Sequence, residues 1–235
     1  MISVCMATYN GERYLKEQVD SILKQLDKED ELIISDDGST DKTLQILDAY
    51  GDRRIKILHN QEHGVNGNFE NALRHAVGDY IFLSDQDDIW LPGKVKACVE
   101  VLQSADCVVH DCIVVNAGLK EIEPSFFATR SSGPGFWKNL YKNGYLGCCM
   151  AFKRDVLKYA LPYPHNLPIF QEGWIASLAD IKGVVKFIDF KGILFRRHES
   201  NASFTAKKSG FTLTKKISYR GHLLWLIAKR LLKIG

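Results

Sequence analysis

The stretch Tyr80-Ile81-Phe82-Leu83-Ser84-Asp85-Gln86-Asp87-Asp88 decides how this chain should fold. Its first half has the composition of a buried strand, and its second half is three carboxylates and one amide. A strand buried on both faces belongs to a parallel sheet covered by helices, so its polar end must emerge at the rim of that sheet. Carboxylates this close together repel one another, and a divalent cation or a cationic ligand would neutralise them. Taken alone, the same letters also fit a solvated, Asp-rich turn.

Two earlier segments repeat the order of short apolar strand, polar turn and helical pattern. Residues 2–7 run into Thr8-Tyr9-Asn10-Gly11, and residues 32–35 run into Asp36-Asp37-Gly38-Ser39-Thr40-Asp41. The second turn could simply cap the following helix. Alternation of this kind predicts an α/β fold with a Rossmann-like, mostly parallel central sheet flanked by helices. Because ligands bind beyond the carboxyl ends of such strands, we expect the three polar ends to form one site.

Strands and helices alternate less regularly in the rest of the chain. A strand is predicted over residues 55–58, helices over 68–77 and 94–102, and a strand over 107–109; residues 116–143 look irregular. Beyond them the pattern predicts strands over 145–153, 184–187 and 192–196 and helices over 154–160 and 172–180. A long irregular segment inside a compact domain is more often functional than filler.

Composition and charge exclude several classes of protein. The 235 residues carry a formal net charge of only +3, so the chain as a whole is not expected to bind nucleic acid. The six cysteines show no CxxC spacing, which favours buried, reduced thiols in a cytoplasmic protein over a disulfide framework or a zinc site. No signal peptide and no membrane span are expected. Motifs of dinucleotide-binding proteins, P-loop NTPases and α/β-hydrolases are missing from the sequence.

Taken together, three motifs resemble the family 2 glycosyltransferases, which are inverting enzymes of the GT-A fold. They are residues 7–11, residues 35–41 and Phe82-Leu83-Ser84-Asp85-Gln86-Asp87-Asp88-Ile89-Trp90, and the last is similar to a bacterial, rhamnosyltransferase-like subgroup. The resemblance covers roughly residues 1–205. It implies a GT-A domain over 1–212, with a nucleotide-binding half at 1–115 and an acceptor-side half at 116–212, followed by a separate helix at 213–235.

The resemblance also implies roles for the nucleotide-binding residues. Thr8 and Tyr9, with Asn10, would lie by a uracil or thymine base, and Asp37 with Asp36 would hold the base or ribose. Asp85 and Asp87 correspond to the DXD pair of the family, with Gln86 between them. Asp85 would face the ribose or bound water, and Asp87 would bind Mn²⁺ or Mg²⁺ directly.

Residues on the acceptor side follow from the same resemblance. Glu172, in Phe170-Gln171-Glu172-Gly173-Trp174, is the candidate general base; its place in the first turn of a helix would favour the ionised form. Asp180 is the fallback. His198 would complete the metal shell, and Arg197 would face the diphosphate. A third group would contact the sugar or acceptor: Gly147, Cys148 and Trp174.

The last twenty residues mix Lys and Arg with Leu, Ile and Trp225 in a helical pattern. Such a basic amphipathic helix can lie on an anionic membrane, pack on a partner, or cover the core of its own domain. The first of these fits a glycan or lipid-linked glycan acceptor. The function predicted is transfer of a sugar from a UDP- or dTDP-sugar, in polysaccharide synthesis at the inner face of a bacterial membrane. The alternatives are a sugar-1-phosphate nucleotidyltransferase and a catalytically inactive nucleotide-sugar-binding subunit.

Overall fold

The fold is described from a computed structural model, which covers residues 1–199, 201 and 212–234. One nine-stranded sheet forms the centre of the molecule, with strand order β3-β2-β1-β4-β8-β6-β9-β5 and β7 paired to β6. The strands are β1 (Ile2–Thr8), β2 (Glu31–Asp36), β3 (Ile55–His59), β4 (Tyr80–Ser84), β5 (Ile89–Trp90), β6 (Cys107–Asn116), β7 (Glu121–Glu123), β8 (Met150–Lys153) and β9 (Val185–Arg197).

Helices cover the sheet and connect its strands. They are α1 (Leu15–Leu23), α2 (Thr43–Asp48), α3 (Val65–Arg74), α4 (Lys94–Leu102), α5 (Phe126–Arg130), α6 (Phe136–Tyr141), α7 (Leu157–Ala160), α8 (Gln171–Lys182) and α9 (Leu213–Ile234). Two 3₁₀ turns, at Gly147–Cys149 and Arg154–Val156, flank β8. No helix of the described residues has the length and apolarity needed to cross a membrane.

The first half of the sheet is the parallel unit that the sequence predicts. β1 pairs in parallel with β2 and with β4, and β2 pairs in parallel with β3. β1, β2 and β4 therefore end at the same edge, and each ends in one of the polar motifs. Antiparallel β8 then joins β4 to the second half, where β9 runs parallel to β6. The predicted mixed α/β architecture is confirmed.

Several predicted boundaries were wrong in the second half. The strand predicted over 145–153 is a 3₁₀ turn followed by the short strand β8. The two strands predicted over 184–187 and 192–196 are one continuous strand, β9. The pairing of β9 with β6 shifts register near Asp111, so the polar interruption at residues 188–191 marks an irregularity in one strand and not its end. The segment predicted to be irregular contains β7, α5 and α6.

Helix α9 packs on the domain along one face. Leu223, Leu226 and Ile227 are buried in the main hydrophobic core, whereas Trp225 lies on the opposite, exposed face. The C-terminal helix thus contributes to the core of the same domain that carries the three motifs. The boundary predicted at residues 212 and 213 stays a prediction.

Candidate active site

A cavity of about 250 Å³ lies where β1, β2 and β4 end and α8 begins. It is lined by residues from every motif singled out in the sequence: Thr8, Tyr9, Asp37, Asp85, Gln86, Asp87, Gly147, Gln171, Glu172 and Asn201. The carboxyl ends of parallel strands and the first turn of a helix thus face one space, as expected for this fold class.

The turn after β2 is built around the buried carboxylate of Asp36. It accepts hydrogen bonds from the backbone N–H groups of Gly38 and Ser39, at 3.0 and 2.8 Å, and from the Thr8 hydroxyl at 3.1 Å. Asn10 has a positive φ of 48° and accepts a bond from the N–H of Thr40, which ties the first turn to the second. Asp36 and Asn10 therefore organise the loops and do not line the cavity.

Asp37 is the carboxylate of this pair that faces the cavity. It accepts hydrogen bonds from the Asn60 side-chain amide at 2.8 Å and from the backbone N–H of Gly64 at 2.9 Å. The exposed imidazole of His63 lies 3.4 Å away. These contacts fix the carboxylate at the cavity wall, where it can accept hydrogen bonds from a ligand.

Tyr9 and Gln86 join the ends of β1 and β4. The Gln86 side chain accepts from the Tyr9 backbone N–H at 2.9 Å and donates to the Tyr9 carbonyl at 3.0 Å. Two neighbouring strands often exchange such a pair of N–H···O bonds between their backbones. Here the Gln86 side-chain amide takes the place of one of the two backbones. Tyr9 is 55% exposed and lines the cavity, so its side chain is accessible to a planar ligand.

The acidic loop after β4, residues 85–88, brings three carboxylates close together, and their surroundings differ. Burial, then the charge of Asp87, raises the pKa of Asp85 to about 7. Asp88 is fully buried, and burial together with its two acidic neighbours raises its pKa well above the usual range. One Asp88 oxygen accepts from the Arg196 N–H at 2.9 Å, and the other has no hydrogen-bond partner among the described residues. The loop therefore has unsatisfied capacity for a positive charge.

A buried lysine lies beneath this loop. Lys94, at the start of α4, is fully buried and donates to the Cys148 carbonyl at 2.7 Å. Its ammonium lies 3.8 Å from the centre of the Trp90 ring, and its charge lowers the pKa of Asp85 against the larger effect of burial. Lys94 therefore supplies part of the missing counter-charge from within the chain.

Arg196 connects the acidic loop to β9 and α1. Its Nε donates to the Asp87 carbonyl at 2.8 Å, and its terminal nitrogen donates to Glu17 at 2.6 Å. Its guanidinium also lies 4.5 Å from the centre of the Tyr14 ring. Arg196 is 3% exposed, and these bonds hold the acidic loop in place. Sequence reasoning did not select it.

The placement of Arg197 does not support the predicted contact with a diphosphate. Its side chain pairs with Glu123 of β7 at 2.8 Å, outside the cavity lining. Neighbouring side chains of a strand point to opposite faces of the sheet, so Arg196 and Arg197 cannot both face the acidic loop. The arginine that bonds the acidic loop is Arg196, one residue before the one chosen from the sequence, and neither side chain lines the cavity.

His198 and Asn201 meet Asp87 at the cavity edge. The Asp87 Oδ2 atom lies 2.8 Å from His198 Nε2 and 3.1 Å from Asn201 Nδ2. Two ligands on neighbouring positions of an octahedral ion, each bonded at about 2.1 Å, are about 3 Å apart. In this structure Asp87 and His198 form a hydrogen-bonded pair, and the same separation would let the two atoms share one divalent cation.

Glu172 lies in the first turn of α8 and lines the cavity. Burial, reinforced by the charge of Asp85, raises the pKa of Glu172 to about 8. Its position at the helix start was expected to favour the ionised form, but the cost of burying the charge outweighs that effect. A carboxyl group with a pKa near neutrality is well matched to accepting a proton in a reaction at physiological pH.

The three residues predicted to contact sugar or acceptor fall in different places. Gly147 lines the cavity; a Cβ atom on it would lie 3.4 Å from the Glu172 Cβ. The Cys148 side chain is buried beside the acidic loop, and its thiol lies within 4.8 Å of Asp85 and Asp88 oxygens. Trp174 is fully buried, and its indole N–H donates to the Ala160 carbonyl at 2.8 Å, so its placement does not support a ligand contact.

One cavity residue was missed because nothing in its local pattern marks it. Asn68 is nearly fully buried in α3, donates to the Thr8 carbonyl at 3.0 Å and lines the cavity. Its side-chain oxygen has no hydrogen-bond partner among the described residues. Buried polar atoms normally find a partner, so this oxygen is available to a ligand. In the sequence, Asn68 is one polar residue of an ordinary amphipathic helix and has no motif around it.

Comparison with known proteins decides the family. The sequence profile described as Glycosyl transferase family 2 matches residues 3–160, more than half of the chain. The chain belongs to glycosyl transferase family 2. It is therefore a glycosyltransferase, which confirms the prediction made from the three motifs.

Curated relatives agree with this assignment. The chain is 28% identical over 220 residues to an uncharacterized glycosyltransferase of Nostoc, a match that covers 87% of this chain and 67% of that protein. It is 29% identical to the dTDP-rhamnosyl transferase RfbG of Shigella flexneri, over 92% of this chain and 81% of RfbG. A third relative, 28% identical over 77% of this chain and 70% of its own length, is the UDP-Glc:alpha-D-GlcNAc-diphosphoundecaprenol beta-1,3-glucosyltransferase WfgD of Escherichia coli.

Solved structures show the same fold at low identity. The structure of S. aureus TarS in complex with UDP-GlcNAc aligns with 98% of this chain at a TM-score of 0.72 and 21% identity. The mannosyltransferase PcManGT of Pyrobaculum calidifontis, in complex with GDP-Man and Mn²⁺, aligns with the whole chain at a TM-score of 0.59 and 18% identity. This chain spans about two thirds of each of those chains, 66% and 64% respectively. The predicted GT-A fold is confirmed.

Proposed function

We propose that the protein transfers a sugar from a UDP- or dTDP-sugar to an acceptor hydroxyl, with inversion at the anomeric carbon and with Mn²⁺ or Mg²⁺. The observation that carries this proposal is the single cavity shared by Asp37, the acidic loop and Glu172. Groups suited to a nucleotide, a cation and a proton line this one space, which supports the proposal.

The nucleotide would lie against the ends of β1 and β2. The half-exposed Tyr9 ring offers a stacking surface for a base, and the Asp37 carboxylate offers an acceptor for base or ribose. The relative RfbG is named for a dTDP-sugar and WfgD for a UDP-sugar, which supports a pyrimidine nucleotide. Asn68, with its unpaired oxygen, would add one more acceptor at the same end.

A divalent cation would be held by Asp87 and His198, with Asp85 beside them. Asp85 is the less buried carboxylate and is suited to ribose or to water around the ion. When bound, the ion supplies positive charge for the diphosphate that leaves. Arg196 and Lys94 would support the loop from the protein interior. Arg196 donates a hydrogen bond to the Asp87 carbonyl, and the positive charge of Lys94 reduces the repulsion among the carboxylates. PcManGT, a neighbour of the same fold, was solved with Mn²⁺, which supports a divalent cation in this site.

Glu172 would take the proton from the acceptor hydroxyl. It lines the same cavity beside Gly147, whose missing side chain leaves room for a sugar ring. Inversion by direct displacement requires the base to act from the side opposite the leaving group, which is the role proposed for Glu172. Burial raises the pKa of Glu172 to about 8, so about one tenth of the molecules carry the ionised base at pH 7 and the fraction rises with pH.

The acceptor would be a glycan or lipid-linked glycan in the synthesis of a surface polysaccharide. WfgD is named for a diphosphoundecaprenol-linked acceptor, and RfbG for rhamnosyl transfer. The cytoplasmic, peripheral location proposed for the chain follows from six buried free thiols and from the basic character of α9. The family assignment sets aside the nucleotidyltransferase alternative, and the cavity-facing Glu172 favours an active enzyme over an inactive subunit.

The test is release of nucleotide from a panel of UDP-, dTDP- and GDP-sugars, with Mn²⁺ or with EDTA. We expect hydrolysis or transfer with at least one pyrimidine nucleotide sugar and none in EDTA. Selective binding of nucleotide sugars without turnover, in the presence of diverse glycan acceptors, would support the inactive subunit instead.

A further inference from the structure

The positive charge of this protein is concentrated in its last segment. Residues 200–235 contain eight of the 31 Lys and Arg residues and none of the 28 Asp and Glu residues. That segment therefore has a formal charge of +8, against −5 for residues 1–199. A second stretch without acids, residues 124–154, contains α6. The two acid-free stretches meet in the fold.

Two arginines of α9 connect these parts and do not face outward. Arg220 donates from Nε to the Leu140 carbonyl at 2.9 Å and also bonds the Tyr141 carbonyl, both at the end of α6. Arg230 donates to the Leu161 carbonyl at 2.8 Å, just beyond α7. Carbonyls at a helix end lack partners within the helix and attract cations. Both arginines therefore hold α9 against the rest of the domain, although the sequence analysis counted them among the basic residues that would face a membrane.

The outward face of α9 still carries large apolar side chains. Ile217, Trp225 and Leu232 are 62%, 54% and 85% exposed, and helical geometry places them within about 80° of one another. Lys229 and Lys233 are exposed beside them, with the Lys229 ammonium 4.9 Å from the Trp225 ring. An aromatic and aliphatic stripe flanked by lysines is the pattern of a helix that lies in a membrane interface.

Helix α6 extends this face. Trp137 and Tyr141, one helical turn apart, are 72% and 77% exposed. Arg220 places the end of α6 directly against α9, and its guanidinium lies 5.3 Å from the Tyr141 ring. Lys138 and Lys142, also exposed, alternate with these aromatics. Tryptophan and tyrosine are the side chains most enriched at the level of lipid headgroups.

We propose that α6 and α9 together form one docking surface for an anionic lipid bilayer, with Trp137, Tyr141 and Trp225 as its interfacial anchors. The charge of the surface selects this occupant. A second copy docked face to face would bring like charges together, and a nucleic acid backbone would leave Ile217 and Leu232 unburied. An anionic bilayer satisfies both the lysines and the apolar side chains.

Helix α8, which carries the candidate base, packs against the inward side of α9. Arg230 packs 5.6 Å from the ring of Trp174, which is in α8 two residues beyond Glu172. The proposal deepens the proposed function, because it rests on an acceptor carried by a membrane lipid. A protein docked through α6 and α9 would hold α8, and with it the base, near that lipid.

Tryptophan fluorescence tests the two helices separately. Trp90 and Trp174 are buried, so Trp137 and Trp225 are the exposed tryptophans. Trp225→Phe leaves Trp137 as the reporter of α6, and Trp137→Phe leaves Trp225 as the reporter of α9. With vesicles containing anionic phosphatidylglycerol at low salt, the emission of both variants should move to shorter wavelength. A shift in Trp137→Phe alone would show that α6 does not touch the bilayer and would overturn the two-helix surface.

Charge substitutions test the choice of lipid. Lys229→Gln with Lys233→Gln should weaken cosedimentation with anionic vesicles roughly 30-fold, at about fivefold for each lysine. The matched control is Lys24→Gln with Lys28→Gln, two exposed lysines near the end of α1, which should bind as the wild type does. Equal loss in both pairs, binding to neutral vesicles as tight as to anionic ones, or a dimer in light scattering that Trp225→Phe dissociates would overturn the proposal.

Donor turnover measured without vesicles separates this proposal from the proposed function. The Lys229, Lys233, Trp137 and Trp225 variants should all retain wild-type nucleotide release, since none of these residues lines the cavity. Vesicle binding by a protein with no turnover on any donor would contradict the proposed function alone. Turnover without binding to anionic vesicles at low salt would contradict the docking surface alone.

Discussion

Replacing Glu172 with Gln should lower the turnover of the enzyme and raise its stability at high pH. Because burial raises the pKa of Glu172 to about 8, only about one tenth of the free enzyme carries the ionised base at pH 7, and about one hundredth at pH 6. The kcat/KM of the wild type, which reports the free enzyme, should therefore rise about tenfold per pH unit and level off near pH 8. In Glu172→Gln, turnover should fall by on the order of 10² to 10⁴, and that rise with pH should disappear.

The same carboxyl group should lower the stability of the wild type at high pH. Its folded-state pKa lies above its ordinary value of 4.5, so its contribution to stability is fully present below about pH 4.5 and is lost as pH rises to about 8. Glu172→Gln removes this loss. At pH 9 the variant should be more stable than the wild type by about 2 to 4 kcal/mol, after allowance for solvent in the cavity. That corresponds to roughly 5 to 10 °C in melting temperature for a domain of this size.

The assay is nucleotide release with the donor found in the panel, measured between pH 6 and pH 9 together with thermal melts without metal. Asp180→Asn is the matched control on the same helix: Asp180 accepts a bond from the Tyr145 hydroxyl at 2.6 Å, away from the cavity, and the amide keeps an acceptor there. The control should keep the wild-type rate and pH profile. Near wild-type transfer by Glu172→Gln, or a wild-type profile that is flat from pH 6 to pH 8, would refute the reasoning.

Three further predictions concern the acidic loop, β9 and α9. Asp87→Asn should bind UDP or dTDP with the affinity that the wild type shows in EDTA; calorimetry that finds full Mn²⁺-dependent affinity in the variant would contradict a ligand role. Arg196→Met should destabilise the domain by about 1 to 3 kcal/mol, since it leaves the Asp87 carbonyl without its partner, while the largely exposed Glu17 loses little. Arg197→Met should leave nucleotide affinity unchanged; denaturant titration and calorimetry check the pair, and equal effects would be inconsistent with the placement of the two side chains. Deleting residues 216–235 should lower the melting temperature and expose apolar surface to a fluorescent dye, because α9 buries Leu223, Leu226 and Ile227 in the core; an unchanged melting temperature would show that α9 is dispensable for the fold.

The first, parallel half of the sheet could be predicted from the sequence because each of its signals is local. In residues 80–88 a run of apolar residues ends abruptly in carboxylates, and the same change occurs after residues 7 and 35. Parallel pairing of β1, β2 and β4 is enough to bring those ends together. Neither step requires knowledge of any contact between distant residues.

The other half depends on contacts that the sequence does not display. Arg196 and Arg197 make different contacts only because neighbouring side chains of β9 point to opposite faces of the sheet. Asp189 and Lys191 interrupt the apolar pattern of β9, so the sequence did not reveal the full length of that strand. The first-turn position of Glu172 was visible, but its burial beside Gly147 was not, so the direction of its pKa shift was missed. The resemblance implied a sugar or acceptor contact for Trp174, whereas the structure buries this side chain in the core.

Lys94 has a consequence for how this protein can be made and stored. A buried ammonium beneath the acidic loop is a cation that cannot diffuse away, and it offsets part of the repulsion that would otherwise open the loop. We therefore expect the domain to fold without a divalent ion. If the proposed cation is needed for turnover, cells starved of it would still accumulate folded protein that awaits the ion and the nucleotide sugar.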